Sequence, residues 1–115
     1  MRRIGDAFDE VPRRVFDALG SSDADSTYGL MRVLANYGGV EDAHELKFRL
    51  LTQAFGRATD SVVDTMASLG KQEASELLFA CLTASRSSVR KHAADTLGER
   101  VKTEDAERLL SLIHI

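Results

Sequence analysis

Ser87-Ser88-Val89-Arg90-Lys91-His92-Ala93-Ala94-Asp95-Thr96-Leu97-Gly98 opens on serines, carries an apolar stripe and closes on a Leu-Gly pair. Leu69-Gly70 closes an earlier apolar segment 28 residues upstream, and Tyr37-Gly38 ends a third segment 32 residues before that. Punctuation at nearly even spacing marks stacked two-helix units, because a single hairpin cannot bury its own apolar face and needs a neighbour to cover it. The pattern predicts an all-α fold, a right-handed α-α superhelix of about three helical hairpins plus a terminal helix.

Bulk composition agrees with a single domain spanning residues 1–115. The chain is 43% hydrophobic, enough for one modest core at this length. One proline, five phenylalanines, two tyrosines and no tryptophan suit helices better than strands. Fifteen basic and 18 acidic residues leave a formal charge of −3, too weak a field to imply nucleic acid or an anionic membrane. The single cysteine, Cys81, has no partner for an internal disulfide, which points to a reducing compartment and a cytoplasmic location. Met1-Arg2-Arg3 runs into Gly5, Asp6, Asp9 and Glu10, so no signal-peptide core is predicted, and no stretch approaches the length of a membrane span.

Outward from the quoted segment, apolar spacing predicts a helix over 73–84, with Ala74, Leu77, Leu78, Cys81 and Leu82 inward. A second follows over 88–98, with Val89, Ala93, Thr96 and Leu97 inward, and the tight connection 85–87 makes the two a hairpin. Helices over 42–57 and 60–69 form the preceding hairpin. Leu46, Leu50, Leu51, Ala54 and Phe55 face inward on the first, and Val62, Val63, Met66 and Leu69 on the second. Asp60 or Ser61 is the expected N-cap there, and Gly70 the expected left-handed stop. Earlier, Pro12 suits a first helical turn, giving a helix over 12–19 that ends at Gly20. After a loop over 21–26, a helix over 26–37 places Leu30, Val33, Leu34 and Tyr37 inward, with Gly29 inside it costing propensity. Thr103 is the expected cap of a last, unpartnered helix striped with Ala106, Leu109, Leu110 and Ile113.

The segment 87–98 resembles the second helix of HEAT-like repeats, in particular the short type of phycobiliprotein lyases and bacterial adaptor proteins. In that pattern a Val-Arg pair opens the helix, here Val89-Arg90. Two small residues follow where helices touch, here Ala93-Ala94, and Leu97-Gly98 closes it. Asp60-Ser61-Val62-Val63 to Leu69-Gly70 is similar to a degraded copy without the arginine and the alanine pair, and 26–38 to a weaker one. The resemblance implies an architecture shared by unrelated functions. It also implies that Arg90 pairs with an acid of the neighbouring unit, Asp60 or Asp64.

Chemistry-bearing patterns are sparse. His44-Glu45 matches the His-Glu dipeptide of HEAT-like hydroxylases, but metal capture needs several converging ligands and the dipeptide occurs once. Cys81 lies on an inward stripe, where a thiol packs as a small hydrophobe. His92 and His114 have no companion at metal-ligand spacing. There is no Gly-rich phosphate loop, no Gly-x-Ser-x-Gly elbow and no paired-cysteine motif, so no catalytic, cofactor or metal residues are assigned. Arg86, Arg90 and Lys91 cluster, with Arg57 near the equivalent turn one unit earlier, whereas Arg2, Arg3, Arg13 and Arg14 are diluted by Asp6, Asp9, Glu10 and Asp17. A DNA-repair role would want aromatic residues in a basic groove.

The expected function is a non-enzymatic protein-protein interaction or scaffold module. Arg86, Arg90, Lys91, Asp95 and Asp64 are the partner-binding candidates, while Leu109, Leu112, Ile113 and Ile115 are candidates for self-association into a homo-oligomer. The alternatives are a cofactor- or metal-handling enzyme of the phycobilin-lyase or HEAT-type hydroxylase class, and a weak nucleic-acid binder.

Overall fold

The computed structural model describes the backbone of residues 4–113 and the side chains of residues 10–104. It is all-α, with no strand among the described residues. The helices are α1 (Ile4–Leu19), α2 (Ala24–Tyr37), α3 (Val40–Thr52), α4 (Thr59–Gly70), α5 (Ala74–Cys81) and α6 (Ser87–Ile113). Short 3-10 turns, Gly56–Ala58 and Lys71–Glu73, lead into α4 and α5. Consecutive helices pair as three hairpins, α1 with α2, α3 with α4 and α5 with α6. Between hairpins, α2 packs on α4, α4 on α6 and α3 on α5. Second helices thus meet second helices and α3 meets α5, while α4 also packs on α5, and the 21 Å depth of the molecule is that of two helix layers.

A common register underlies the first helices. Pro12, Val15 and Leu19 are buried on α1, Ala43, Leu46 and Leu50 on α3, and Ala74, Leu77 and Cys81 on α5, each set 31 residues after the one before. Between α3 and α5 the likeness extends to identity. Ala43-His44-Glu45-Leu46-Lys47-Phe48-Arg49-Leu50-Leu51-Thr52 and Ala74-Ser75-Glu76-Leu77-Leu78-Phe79-Ala80-Cys81-Leu82-Thr83 share six of ten residues: Ala, Glu, Leu, Phe, Leu and Thr. Over the second helices, 60–70 and 88–98 share two of eleven, the closing Leu and Gly.

The core is one cluster running through all three hairpins, with Leu19, Met31, Leu34, Leu46, Leu50, Val62, Val63, Met66, Leu78 and Val89 fully buried. The inward stripes expected on the helices now labelled α4 and α5 are present, with Leu82 half-buried. On α2 the stripe is turned. Thr27, Met31 and Leu34 are buried, while Val33 and Tyr37 are exposed. Thr27 is tolerated inside because its hydroxyl donates to the Asp23 carbonyl at 2.8 Å and shares a 2.8 Å hydrogen bond with Ser22.

Several boundaries differ from the sequence expectation for identifiable reasons. The first helix starts at Ile4, not Pro12, and the buried Pro12 lies inside it, where its missing N–H leaves the carbonyl of residue 8 without its helical partner. The second starts at Ala24, since Asp23 rather than a later residue caps it, its carboxylate accepting from the Ser26 N–H at 2.8 Å. The third ends at Thr52, and the chain turns through Gly56, whose φ of 54° is left-handed. Phe55 is therefore buried from a loop and Ala54 is exposed. Neither Asp60 nor Ser61 caps α4, because the 3-10 turn runs directly into it. Gly70 is right-handed with φ −69°, and the positive φ falls on Lys71, at 50°. Most consequentially, α6 passes unbroken through Gly98 and Thr103, so the predicted terminal helix is the continuation of the third hairpin's second helix. Thr103 donates its hydroxyl to the Glu99 carbonyl at 3.1 Å instead of capping.

Candidate interaction face

The charged candidates are split by the structure between connecting the fold and facing solvent. Arg90 does not pair with Asp60 or Asp64. Its guanidinium donates to the carbonyls of Ala84 and Ser85, at 2.7 and 2.9 Å, and closes the turn between α5 and α6. The acids are taken instead by His92, two residues further along on the α4-facing side. Its Nε2 lies 2.9 Å from Asp64 and its Nδ1 3.5 Å from Asp60. Lys91 and Asp95 are exposed on α6, and Arg86 is half-buried just before its start. The five candidates thus share a region of α4 and α6, but Arg90 and Asp64 are held by internal bonds. Leu109, Leu112 and Ile113 lie on α6 with side chains outside the described residues, and Ile115 lies outside them altogether.

Polar contacts tie each hairpin to the next. Between the first and second, Arg49 donates to the Phe16 carbonyl at 3.3 Å and lies over the Phe16 ring at 5.6 Å, Gln53 donates to the Leu19 carbonyl at 2.8 Å, and the Tyr28 hydroxyl donates to the Arg57 carbonyl at 2.8 Å. Between the second and third, His44 meets Glu73 at 2.9 Å in the first-helix layer, while His92 meets Asp60 and Asp64 in the second-helix layer. His44 is accordingly occupied by a carboxylate from the next hairpin, not by its sequence neighbour Glu45, which pairs with Arg49 at 2.9 Å.

Two residues that composition did not single out dominate the outer surface of the first-helix layer. Phe48 on α3 and Phe79 on α5 are 57% and 60% exposed. They occupy equivalent positions of the 31-residue repeat on helices that touch. Since packed helix axes lie about 8–10 Å apart, the rings are neighbours on one face. Leu51 and Leu82, half-buried at equivalent positions one turn later, extend the apolar strip. Glu45 and Glu76, three residues before each ring, border it. The signal that finds this pair is the repeat of Ala-x-Glu-Leu-x-Phe-x-x-Leu-Thr, which is visible only when the first helices, rather than the second, are aligned.

The remaining candidates are structural. Cys81 is buried against Met66, sulfur to sulfur 3.9 Å, and burial pushes its thiol up to about 11, so it is held as the unreactive thiol. No group of three or more His, Cys, Asp or Glu side chains is placed to hold a metal ion among the described residues, and no helix among them is long and apolar enough to cross a membrane. Neither a family model, nor a curated protein, nor a solved structure matches the chain.

Proposed function

We propose that this chain is a non-enzymatic interaction or scaffold module, built as a right-handed stack of HEAT-like helical hairpins that holds another protein on a preorganised surface. The observation that carries the reading is the 31-residue repeat, which keeps an exposed phenylalanine in both copies. The buried Ala and Leu of the repeat answer to packing, and Thr52 and Thr83 bond back to the carbonyls of Phe48 and Ala80. An aromatic ring left more than half in water has no such role, and its retention where the second helices have diverged argues for a use outside the fold. Large aromatic side chains dominate the energetics of protein interfaces because they bury much area at little entropic cost. The helix-to-helix stacking and the likeness of 87–98 to HEAT-like second helices support the architecture, and the lone buried thiol supports a reducing compartment.

Photo-cross-linking in the host cell tests the reading. A benzoyl-phenylalanine placed at 48, 79, 91 or 95 is expected to capture a defined protein from one helix layer and not the other. If none of the four positions captures a protein, the module reading is wrong.

A further inference from the structure

We infer that residues 102–113 are the first helix of a further repeat and that this segment, held out on the end of α6, docks on the free side of α5 in a second copy of the chain, so that two copies exchange these ends. The exchange depends on the stacking of α3 on α5, not on whether the surface holds another protein. The sequence supplies the register. Lys102-Thr103-Glu104 repeats Lys71-Gln72-Glu73 at a distance of 31 residues, and past Asp105 the stretch from Ala106 to Leu110 repeats Ala74 to Leu78 at a distance of 32, with Lys, Glu, Ala and both leucines shared. Ala106, Leu109, Leu110 and Ile113 therefore carry the spacing that buries Ala74, Leu77, Leu78 and Cys81 on α5.

The joint between α3 and α5 shows which side of a first helix receives the next one. On α3, His44 reaches Glu73 in the lead-in to α5 and Lys47 lies close enough to act on Cys81, while Arg49 and Gln53 reach back to the first hairpin. Carried 31 residues on, the positions of His44 and Lys47 become Ser75 and Leu78, which mark the receiving side of α5, with half-buried Leu82 one turn beyond Leu78. Among the described residues α5 packs on α3, α4 and α6, and no further first helix covers that side. By register Leu112 takes the place of Arg49 and Ala80, the position that faces the preceding hairpin, so Leu109 and Leu112 are the residues matched to Leu78 and Leu82.

The chain's own end cannot fill this place while α6 is unbroken. Arg90 holds the carbonyls of Ala84 and Ser85 past the end of α5, and Arg100 bonds Ser75 and the Lys71 carbonyl at its start, at 3.4 and 3.3 Å, so α6 runs antiparallel to α5 and draws level with its start by residue 100. The helix then carries residues 101–113 about 20 Å further. Residues 101–104 are exposed there. A helix that continues the stack must run in the direction of α3 and α5, whose starts meet through His44 and Glu73, whereas the end of α6 runs the opposite way. A second copy can be turned to lay its own end along α5, and a two-fold axis makes the contact reciprocal, in the manner of domain swapping.

Sedimentation equilibrium of the full chain from micromolar to millimolar concentration tests for the pair, and the mass is expected to rise from that of one chain to that of two. Leu109→Glu with Leu112→Glu is expected to weaken association by about tenfold or more, as loss of buried interface anchors does, with helicity by circular dichroism unchanged. The contact itself is read by mixing nitrogen-15-labelled wild type with unlabelled chain that carries a nitroxide at 111, as Ser111→Cys in a Cys81→Ala background. Paramagnetic broadening is expected at the amides of Ser75, Leu78 and Leu82 of the isotope-labelled copy. A chain that stays monomeric throughout, association indifferent to the two leucines, or broadening centred on α1 and α2 would each overturn the proposal. So would broadening of α5 only when nitroxide and isotope share one chain, which would mean that the end folds back on its own hairpin.

Discussion

Gly70 and Gly29 are both helical glycines, and they answer to different demands. A Cβ on Gly70 would stand 2.9 Å from Leu77 Cδ1 and 3.4 Å from the Ala74 Cβ, so the residue is there to let α5 approach the end of α4. Gly70→Ala is expected to destabilise the protein by about 1–3 kcal/mol through overpacking. At Gly29 a Cβ would meet nothing within 4 Å, so Gly29→Ala should stabilise by about 0.5–1 kcal/mol, the ordinary helix-propensity difference. Urea unfolding of both variants checks the contrast. Asp23 adds a pH dependence. The hydrogen bond from the Ser26 backbone N–H, with the Ser26 side chain next, holds its carboxyl below the ordinary range. A depressed folded-state value means that the cap's contribution is present above the unfolded carboxylate range and is lost as pH falls through the lowered value. The stability gap between the wild type and Asp23→Ala should therefore shrink in acid. Cys81, by contrast, should resist thiol reagents at pH 7–8 until the protein is unfolded.

At the scale of elements, what was legible depended on whether apolarity and burial coincided. They do on α4 and α5, where Val62, Val63, Met66, Leu77, Leu78 and Cys81 are buried as their spacing predicts. They do not on α2, where Val33 and Tyr37 are exposed and Thr27 is buried, a swap made possible by the Ser22 and Asp23 hydrogen bonds that satisfy the threonine. Glycine after leucine was a misleading stop signal at Gly98, since α6 continues to Ile113. Gly98→Ala decides between these alternatives. In a continuous helix, with nothing within 4 Å of the added Cβ, it should raise stability by about 0.5–1 kcal/mol. A left-handed stop at that position would make the same change destabilising. The polar clasp between α4 and α6 was half legible: Asp60 and Asp64 were identified as acceptors, but for Arg90 instead of His92. A double-mutant cycle on His92 and Asp64 should return a favourable coupling of about 0.5–1.5 kcal/mol, the net range for a protein hydrogen bond.

For the whole molecule, the three hairpins were readable from Leu-Gly punctuation, but the repeat that relates them most closely was not. The second helices drew attention because they carry the stop signals, whereas the identity lies in the first helices, whose ends carry no such mark. The candidate site followed the same division. Charged residues on α6 were visible as a cluster, whereas Phe48 and Phe79 lie off the inward stripes read from spacing and stand out only once burial separates them from Leu46 and Leu77. The account stands on those rings sharing one face of adjacent helices. Nitroxide labels at 48 and 79, in a Cys81→Ala background, measure that arrangement. Helices packed about 8–10 Å apart place the labels within range of strong dipolar coupling, so the doubly labelled protein should give a continuous-wave spectrum broadened relative to the sum of the singly labelled ones. A spectrum equal to that sum would contradict it.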